Sequence, residues 1–273
     1  MLWLCLTNAM TADTAPSRRT DSSAAEGGYR GPHLQSLQRG LAVLFHLART
    51  GNAQTAREIS EAVGIERTIS YRILRTLEAE RLVSMRDGRY SVAARSMLFG
   101  QSFLDNLVLR HVAMPLQVDL LFRTFAGRPW SVGLSLAIDD QLAIVDELWA
   151  PNAPLNTIMS VGTVLPLEHT SAGRAILAAL DESEVVARLG VERAGAVRDR
   201  LEVVREQGVE FTNDAPHAPA GIVAVGTAII GRSGQPVGGL SISGPGVDEF
   251  IAPTSEVSLE LRRTAEQIGR GCP

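Results

Sequence analysis

Apolar residues recur at helical spacing in three successive segments near the N-terminal end, and at nearly alternate spacing in several later ones. Leu37, Leu41, Leu44, Phe45 and Ala48 keep the 3.6-residue period, which predicts an amphipathic helix over 36–49 that Gly51-Asn52 stops. Thr55-Ala56-Arg57-Glu58 reads as a capping box, the threonine oxygen taking a first-turn amide and the glutamate reaching back. The short helix behind it is expected to bury Ile59, Ala62 and Val63, and Gly64 ends it where a left-handed residue is needed. A third helix, about 66–80, carries the stripe Ile65, Ile69, Ile73, Leu74 and Leu77. At about 100° per residue its opposite face displays Thr68, Tyr71, Arg72 and Arg75, with Arg67 on the flank. Two β-prone runs, 82–86 and 89–92, are joined by Asp87-Gly88, a pair suited to a two-residue hairpin turn with positive φ at both positions.

The remaining pattern mixes both periods. A helix is predicted over 95–112 (Met97, Leu98, Leu104, Leu107, Leu109), and Pro115 is expected to open another that runs to Phe125. Residues 130–138 and 141–149 read as a hairpin around Asp139-Asp140, followed by a strand-like stretch over 155–161. Helices are expected over 170–180, after an Asp181/Glu184 capping pair, over 196–207 before Gly208, and over 254–271. Strands over 222–231 and 237–243 flank Ser233-Gly234. Hairpin turns between strands, with helices interspersed, predict an α+β fold with an antiparallel sheet rather than βαβ repeats.

Charge divides the chain at the same place as the pattern. The net charge is −4, and all 26 basic residues are arginine. Residues 33–95 carry 10 Arg against 6 acids, whereas 96–273 carry 13 against 21. A small basic module therefore precedes a larger acidic one, which points to a nucleic-acid-facing unit joined to something else. The expected organisation is a disordered tail over 1–32, a DNA-binding domain over 33–94, a linker helix over 95–113 and a ligand-binding domain over 114–273. Cysteines only at positions 5 and 272 give no disulfide framework, and no apolar run reaches the length of a membrane span, so a cytoplasmic protein is expected. The opening apolar run is six residues long with no basic residue before it, unlike a signal peptide, and Met10 offers a second start.

Three helices followed by a β-hairpin form the pattern of a winged helix-turn-helix, whose third helix enters the major groove. Arg67, Arg72 and Arg75 suit phosphates and guanine edges, Thr68 and Tyr71 supply hydroxyls, and Arg86 and Arg89 flank the wing tip. Catalytic patterns are weak: there is no G-x-S-x-G, no phosphate-binding G-x-x-x-x-G-K-[ST] and no dinucleotide fingerprint. The five histidines never fall three or four residues apart, so neither a metal nor a cofactor is expected. The acidic module holds one candidate ligand site. Residues 162–173 run a loop into a helix start, where the amides of Ser171, Ala172 and Gly173 and the helix dipole favour an anion. Ser241 and Ser243 place two hydroxyls on one strand face. An ordinary Thr170 cap and solvated strand serines explain the same residues. A metabolite-binding enzyme and a winged-helix protein–protein adaptor are the alternative functions.

Four segments together resemble the IclR (isocitrate lyase regulator) type of bacterial transcription factor. They are Leu34-Gln35-Ser36-Leu37-Gln38-Arg39-Gly40-Leu41, the run from Gly64 to Leu74, the loop from Gly162 to Gly173, and Gly234-Gln235-Pro236-Val237-Gly238-Gly239-Leu240-Ser241-Ile242-Ser243-Gly244. The resemblance covers about 33–271. It implies a winged-helix domain, a linker helix and a GAF/profilin-like effector domain. It also implies dimers through the N-terminal domain, often paired into tetramers, on a near-palindromic operator. It implies further that a small organic acid binds to the amides of Ser171 and Ala172 and the hydroxyls of Ser241 and Ser243, walled by Leu155 and Leu165. Three departures stand out: Glu168 where the family has histidine, Thr68-Ile69 where it has a serine-threonine pair, and a longer segment around Asp214, the residue in the place of the family's usual acid.

Overall fold

A computed structural model describes residues 33–155, 158–212 and 223–273, so the tail expected over 1–32 lies outside the described residues. The chain separates into two compact units that meet between Ser96 and Met97.

The first unit holds α1 (Gln35–Thr50), β1 (Gln54–Thr55), α2 (Ala56–Val63), α3 (Arg67–Ala79), β2 (Val83–Arg86) and β3 (Arg89–Val92). The capping box at Thr55 and Glu58 is formed, Gly51 and Gly64 close their helices in the left-handed region, and Asp87 and Gly88 turn the wing with φ of 51° and 74°. A short strand that the apolar pattern does not mark, β1, pairs with β3 and makes the sheet three-stranded in the order β1-β3-β2. Val43, Leu47, Ile59, Leu74, Val83 and Tyr90 form the core, with Leu44, Val63, Ile65, Ile73 and Leu77 packed around it.

The buried face of α1 differs from the expected one. Leu37, Leu41 and Phe45 are 58%, 44% and 59% exposed, and Ala48 is exposed too. The helix carries two apolar stripes roughly 140° apart at 100° per residue, and the Val43/Leu47 stripe is the one buried in the core. In α2, Ala62 is exposed and Ser60 is buried instead, its hydroxyl donating to the Arg57 carbonyl at 2.8 Å.

The second unit opens with α4 (Met97–Asp105) and α5 (Val108–Asp119), which ends in a π-helical turn over Leu120–Thr124. The single linker helix expected over 95–113 is thus two helices broken at Asn106-Leu107. Pro115 lies inside α5 rather than opening it. Pro115 and His111, the residue four before it, both sit on the exposed side of the helix, where a proline costs a core-facing helix least.

Behind α5 stand β4 (Ser131–Ile138), β5 (Gln141–Trp149), β6 (Val164–Pro166), α6 (Ser171–Ala178), α7 (Glu182–Leu189), α8 (Val191–Gln207), β7 (Glu210–Thr212), β8 (Val223–Ile230), β9 (Pro236–Gly244) and α9 (Glu256–Gly271). The six strands form one antiparallel sheet in the order β6-β5-β4-β9-β8-β7. Stretch 155–161 makes no strand in its described part. The free edge of β5 is already taken by β6 and, just before it, by the Gly162–Ile144 and Thr163–Ile144 backbone bonds. Helix α8 starts at Val191, five residues earlier than its pattern suggests, because Arg193 in its first turn is tied to Glu168 and Asp140.

The sheet has two unlike faces. Val132, Leu134, Val225, Ile229, Leu240 and Ile242 point to α5 and α9 in a large apolar core. The opposite face carries Ser131, Gly133 and Ser135 on β4, Glu147 on β5, Gly239, Ser241 and Ser243 on β9, and Gly226 on β8. Small residues there let α6 lie close: a Cβ at Gly226 would stand 2.4 Å from the Ala172 nitrogen, and one at Gly239 would stand 2.9 Å from the Ala172 Cβ.

Ser70, inside α3, is fully buried and its hydroxyl has no hydrogen-bond partner among the described residues. Replacing it with alanine removes a desolvated, unbonded hydroxyl at almost no loss of volume, so Ser70→Ala should stabilise the first unit by about 1 kcal/mol. Urea titration read by amide hydrogen exchange within α3 checks this. A lower midpoint in the variant would show that the hydroxyl is satisfied in solution.

Candidate functional site

In the first unit α3 lies with Leu74 inward and Arg67, Thr68, Tyr71, Arg72 and Arg75 all exposed on the other side. Its first turn has no acidic residue, so the positive end of the helix dipole adds to the arginines. Ile69, which replaces a polar residue of the family pattern, is half-buried beside α1.

The seven candidate DNA-contacting side chains are not equivalent. Among the described residues Arg67, Arg72 and Arg86 form no ion pair, whereas Arg75 is held by Glu78 at 3.1 Å. Arg89 turns back from the wing to donate to the Ala53 carbonyl at 3.0 Å and pairs with Glu58 at 3.4 Å. Glu58 already serves the capping box, and its bonds from Thr55 hold its carboxyl below the usual range. Arg89 therefore braces the wing against the start of α2, a role that only the β1–β3 pairing reveals.

In the second unit the loop before α6 makes a 3-10 turn over Leu167–His169, and Thr170 caps the helix with its hydroxyl 3.0 Å from the Gly173 amide. Thr170 thus takes the Gly173 amide, the third of the three expected for an anion. The Ser171 and Ala172 amides are the first-turn donors left over, and they lie against the sheet at Gly226. Gly173 is required because a Cβ there would stand 2.2 Å from the Leu167 carbonyl oxygen.

Ion pairs fix this turn from behind. Arg174 pairs with the buried Glu210 at 2.9 Å and donates to Thr212 and to the Glu168 carbonyl. Glu168, where the family carries histidine, is bound through both oxygens by Arg193 at 2.7 and 2.9 Å. Burial alone would raise the Glu168 carboxyl, but the Arg193 guanidinium outweighs it and holds the carboxyl below its ordinary range. The departure at 168 is accordingly a structural clamp between the α6 turn and α8.

The other expected effector residues are placed unevenly. Ser241 and Ser243 are half-buried on the α6 side of the sheet, Ser243 sharing a 3.0 Å hydrogen bond with Ser131. Leu165 is half-buried on β6 opposite Leu142, but Leu155 is 85% exposed. Asp214 lies outside the described residues.

Glu147 is not among the residues expected from the sequence. It is 7% exposed on β5, directly across from Gly133, and a Cβ at Gly133 would stand 2.7 Å from Glu147 Oε2 and 3.1 Å from Ser241 Oγ. Burial pushes its carboxyl up to about 7, with Asp146 adding to the rise and hydrogen bonds from Ser131 and the Met159 amide holding it back. As sequence, Asp146-Glu147 reads as the polar end of a strand. Only the glycine facing it, by leaving room for a carboxylate, marks it as part of a site. A metal is not suggested, since no cluster of three or more His, Cys, Asp or Glu side chains is grouped among the described residues.

A basic winged helix joined to an α+β unit with a polar, small-residue sheet face is the architecture of a one-component transcription regulator. The family model for the IclR helix-turn-helix domain matches residues 36–87, and that for the bacterial transcriptional regulator IclR C-terminal domain matches residues 101–270, so the chain belongs to the IclR family of DNA-binding transcriptional regulators and is not an enzyme. The acetate operon repressor of Salmonella typhimurium is 26% identical over 84% of this chain and 87% of its own length. An IclR family regulator from Brucella abortus has the same fold, with a TM-score of 0.74 at 20% identity over 92% of this chain and 97% of that one. An IclR homologue from Microbacterium hydrocarbonoxydans, solved in complex with 4-hydroxybenzoate, gives a TM-score of 0.62 at 20% identity, over 86% of this chain and 98% of that one. No helix among the described residues is long and apolar enough to cross a membrane.

Glu147 gives a pH signature. Its folded-state carboxyl is raised above the ordinary 4.5, so the neutral form favours the fold. That contribution is complete below about pH 4.5 and is lost as pH rises through about 7. The unfolding free energy of wild type should therefore fall relative to that of Glu147→Gln as pH rises, by roughly 3 kcal/mol in all, leaving the glutamine variant the more stable protein above about pH 7. Urea unfolding of both proteins from pH 4.5 to 8.5 measures it, and a constant difference would mean that Glu147 titrates normally.

Proposed function

We propose that the protein binds a near-palindromic operator as a dimer and that a small organic acid, taken up at the start of α6, changes how the dimer holds its two recognition helices. The observation that carries the DNA half is the exposed face of α3, where Arg67 and Arg72 have no acidic partner among the described residues. Such arginines neutralise phosphates, and in this reading Arg75, exchanging Glu78 for DNA, and Tyr71 contact base edges. Arg86 supplies the wing's phosphate contact. The ligand half is supported by the Ser171 and Ala172 amides facing the same sheet side as Ser241 and Ser243. The 4-hydroxybenzoate held by the Microbacterium relative is an acid of the proposed kind.

Self-association is supported by apolar surface that neither unit buries for itself: Leu37, Leu41 and Phe45 on α1, and Met97, Leu98, Phe99 and Phe103 on α4. An amphipathic helix with its second stripe in water is costly for a lone chain, at about 25 cal/mol per Å² of apolar area. A second copy covers it.

Arg72→Ala should weaken operator binding for every sequence alike and lower the salt slope, −d log K/d log[salt], by about 0.9 for the lost phosphate contact. Fluorescence anisotropy at several salt concentrations reads that slope, and an unchanged value would remove Arg72 from the phosphate contacts. Leu41→Glu should shift sedimentation of the free protein toward monomer and weaken operator binding in parallel. A dimer of unaltered stability would place the interface elsewhere.

A further inference from the structure

The polar sheet face contains more than the two expected serines. Glu147 reaches it from β5 and lies beside Ser241 in the space that Gly133 leaves. On the same face Ser131 and Ser243 share a 3.0 Å hydrogen bond. No arginine or histidine among the described residues is paired with Glu147. Its neighbour Asp146 is paired with Arg110 of α5 at 3.2 Å.

A buried carboxylate offers about four acceptor sites to hydrogen-bond donors. The face is therefore polarised. At the α6 end two amides and a helix dipole favour an anion, and at the β5 end an acceptor without a cation disfavours one. A ligand with an acidic group at both ends leaves like charges together out of water, whereas one with a donor at the second end completes the hydrogen bonding.

Resting on the effector reading above, we propose that Glu147 is the specificity-determining residue of this site. It selects organic acids whose far end carries a hydrogen-bond donor, a hydroxyl or an ammonium, and rejects dicarboxylic acids of the same length.

Binding to the full chain is measured calorimetrically for four straight-chain series of three to six carbons. Each compound has one carboxylate and ends in methyl, hydroxyl, ammonium or a second carboxylate. The expected result is that a hydroxyl- or ammonium-terminated acid binds at least about tenfold more tightly than the dicarboxylate of equal length. Glu147→Ala should abolish the preference. Glu147→Gln, which keeps the size and shape of the side chain and guards against a folding defect, should retain it for hydroxyl and lose it for ammonium, which tells the two donors apart. A dicarboxylate that binds best, or a preference untouched in both variants, overturns the role of Glu147 alone. If none of the acids binds either wild type or variants, the effector reading fails and this inference with it.

Discussion

The second unit depends on one close approach, the start of α6 lying against a patch of sheet that has almost no side chains. Gly226 and Gly239 below, and Gly173 within the helix itself, leave no room for a methyl group. A helix and a sheet normally stand apart by the depth of their interleaved side chains, and here glycine removes that layer at one end. The first-turn amides of α6 therefore reach the sheet surface, and the polar sheet face continues outward as Ser131, Gly133, Ser241 and Ser243. The clamps behind the turn, Arg174–Glu210 and Arg193–Glu168, fix its position. Buried ion pairs add little net stability compared with apolar packing, but removing one partner strands the other. Their consequence is a helix start held in place, which is what the backbone-amide site proposed above requires.

The first unit obeys a different constraint. Its core is small, so each element is held by local devices: the Thr55–Glu58 box, left-handed Gly51 and Gly64, and a wing turned by Asp87-Gly88. Arg89 joins two of these by bridging the wing to the capping glutamate. The apolar residues left over, the second stripe of α1, have no place inside a three-helix core of this size. In the dimer proposed above, folding and assembly would divide this one helix between them.

Much of this architecture is legible in the sequence because it rests on local chemistry. Capping residues, glycine stops and the Asp-Gly turn depend on near neighbours, and they place the winged helix and the α3 face to within a residue or two. The features that are not legible depend on partners distant in sequence. The inward stripe of α1 differs from the expected one because two stripes fit the same helical period, and only packing against α2 and α3 chooses between them. The early start of α8 and the short strand β1 answer to tertiary pairings, Arg193 with two acids in one case and β3 in the other. The break at Asn106 has no such pairing to explain it. At the site, Ser171, Ala172, Ser241 and Ser243 are visible as a helix start and an alternating strand. Glu147 is not, because its meaning comes from Gly133 across the ladder, whose missing side chain makes room for it.

The central claim is that one chain reads DNA through α3 and has that reading altered by a small acid bound at α6. Selecting sites from random duplexes with the purified full chain, and then measuring retention of the selected site in the presence of small organic acids, tests both parts together. The account predicts enrichment of a near-palindromic site and a change in its retention with at least one acid, lost when Gly226→Ala displaces α6. Enrichment of no site would contradict the DNA half, and a site whose retention every acid leaves unchanged would contradict the coupling.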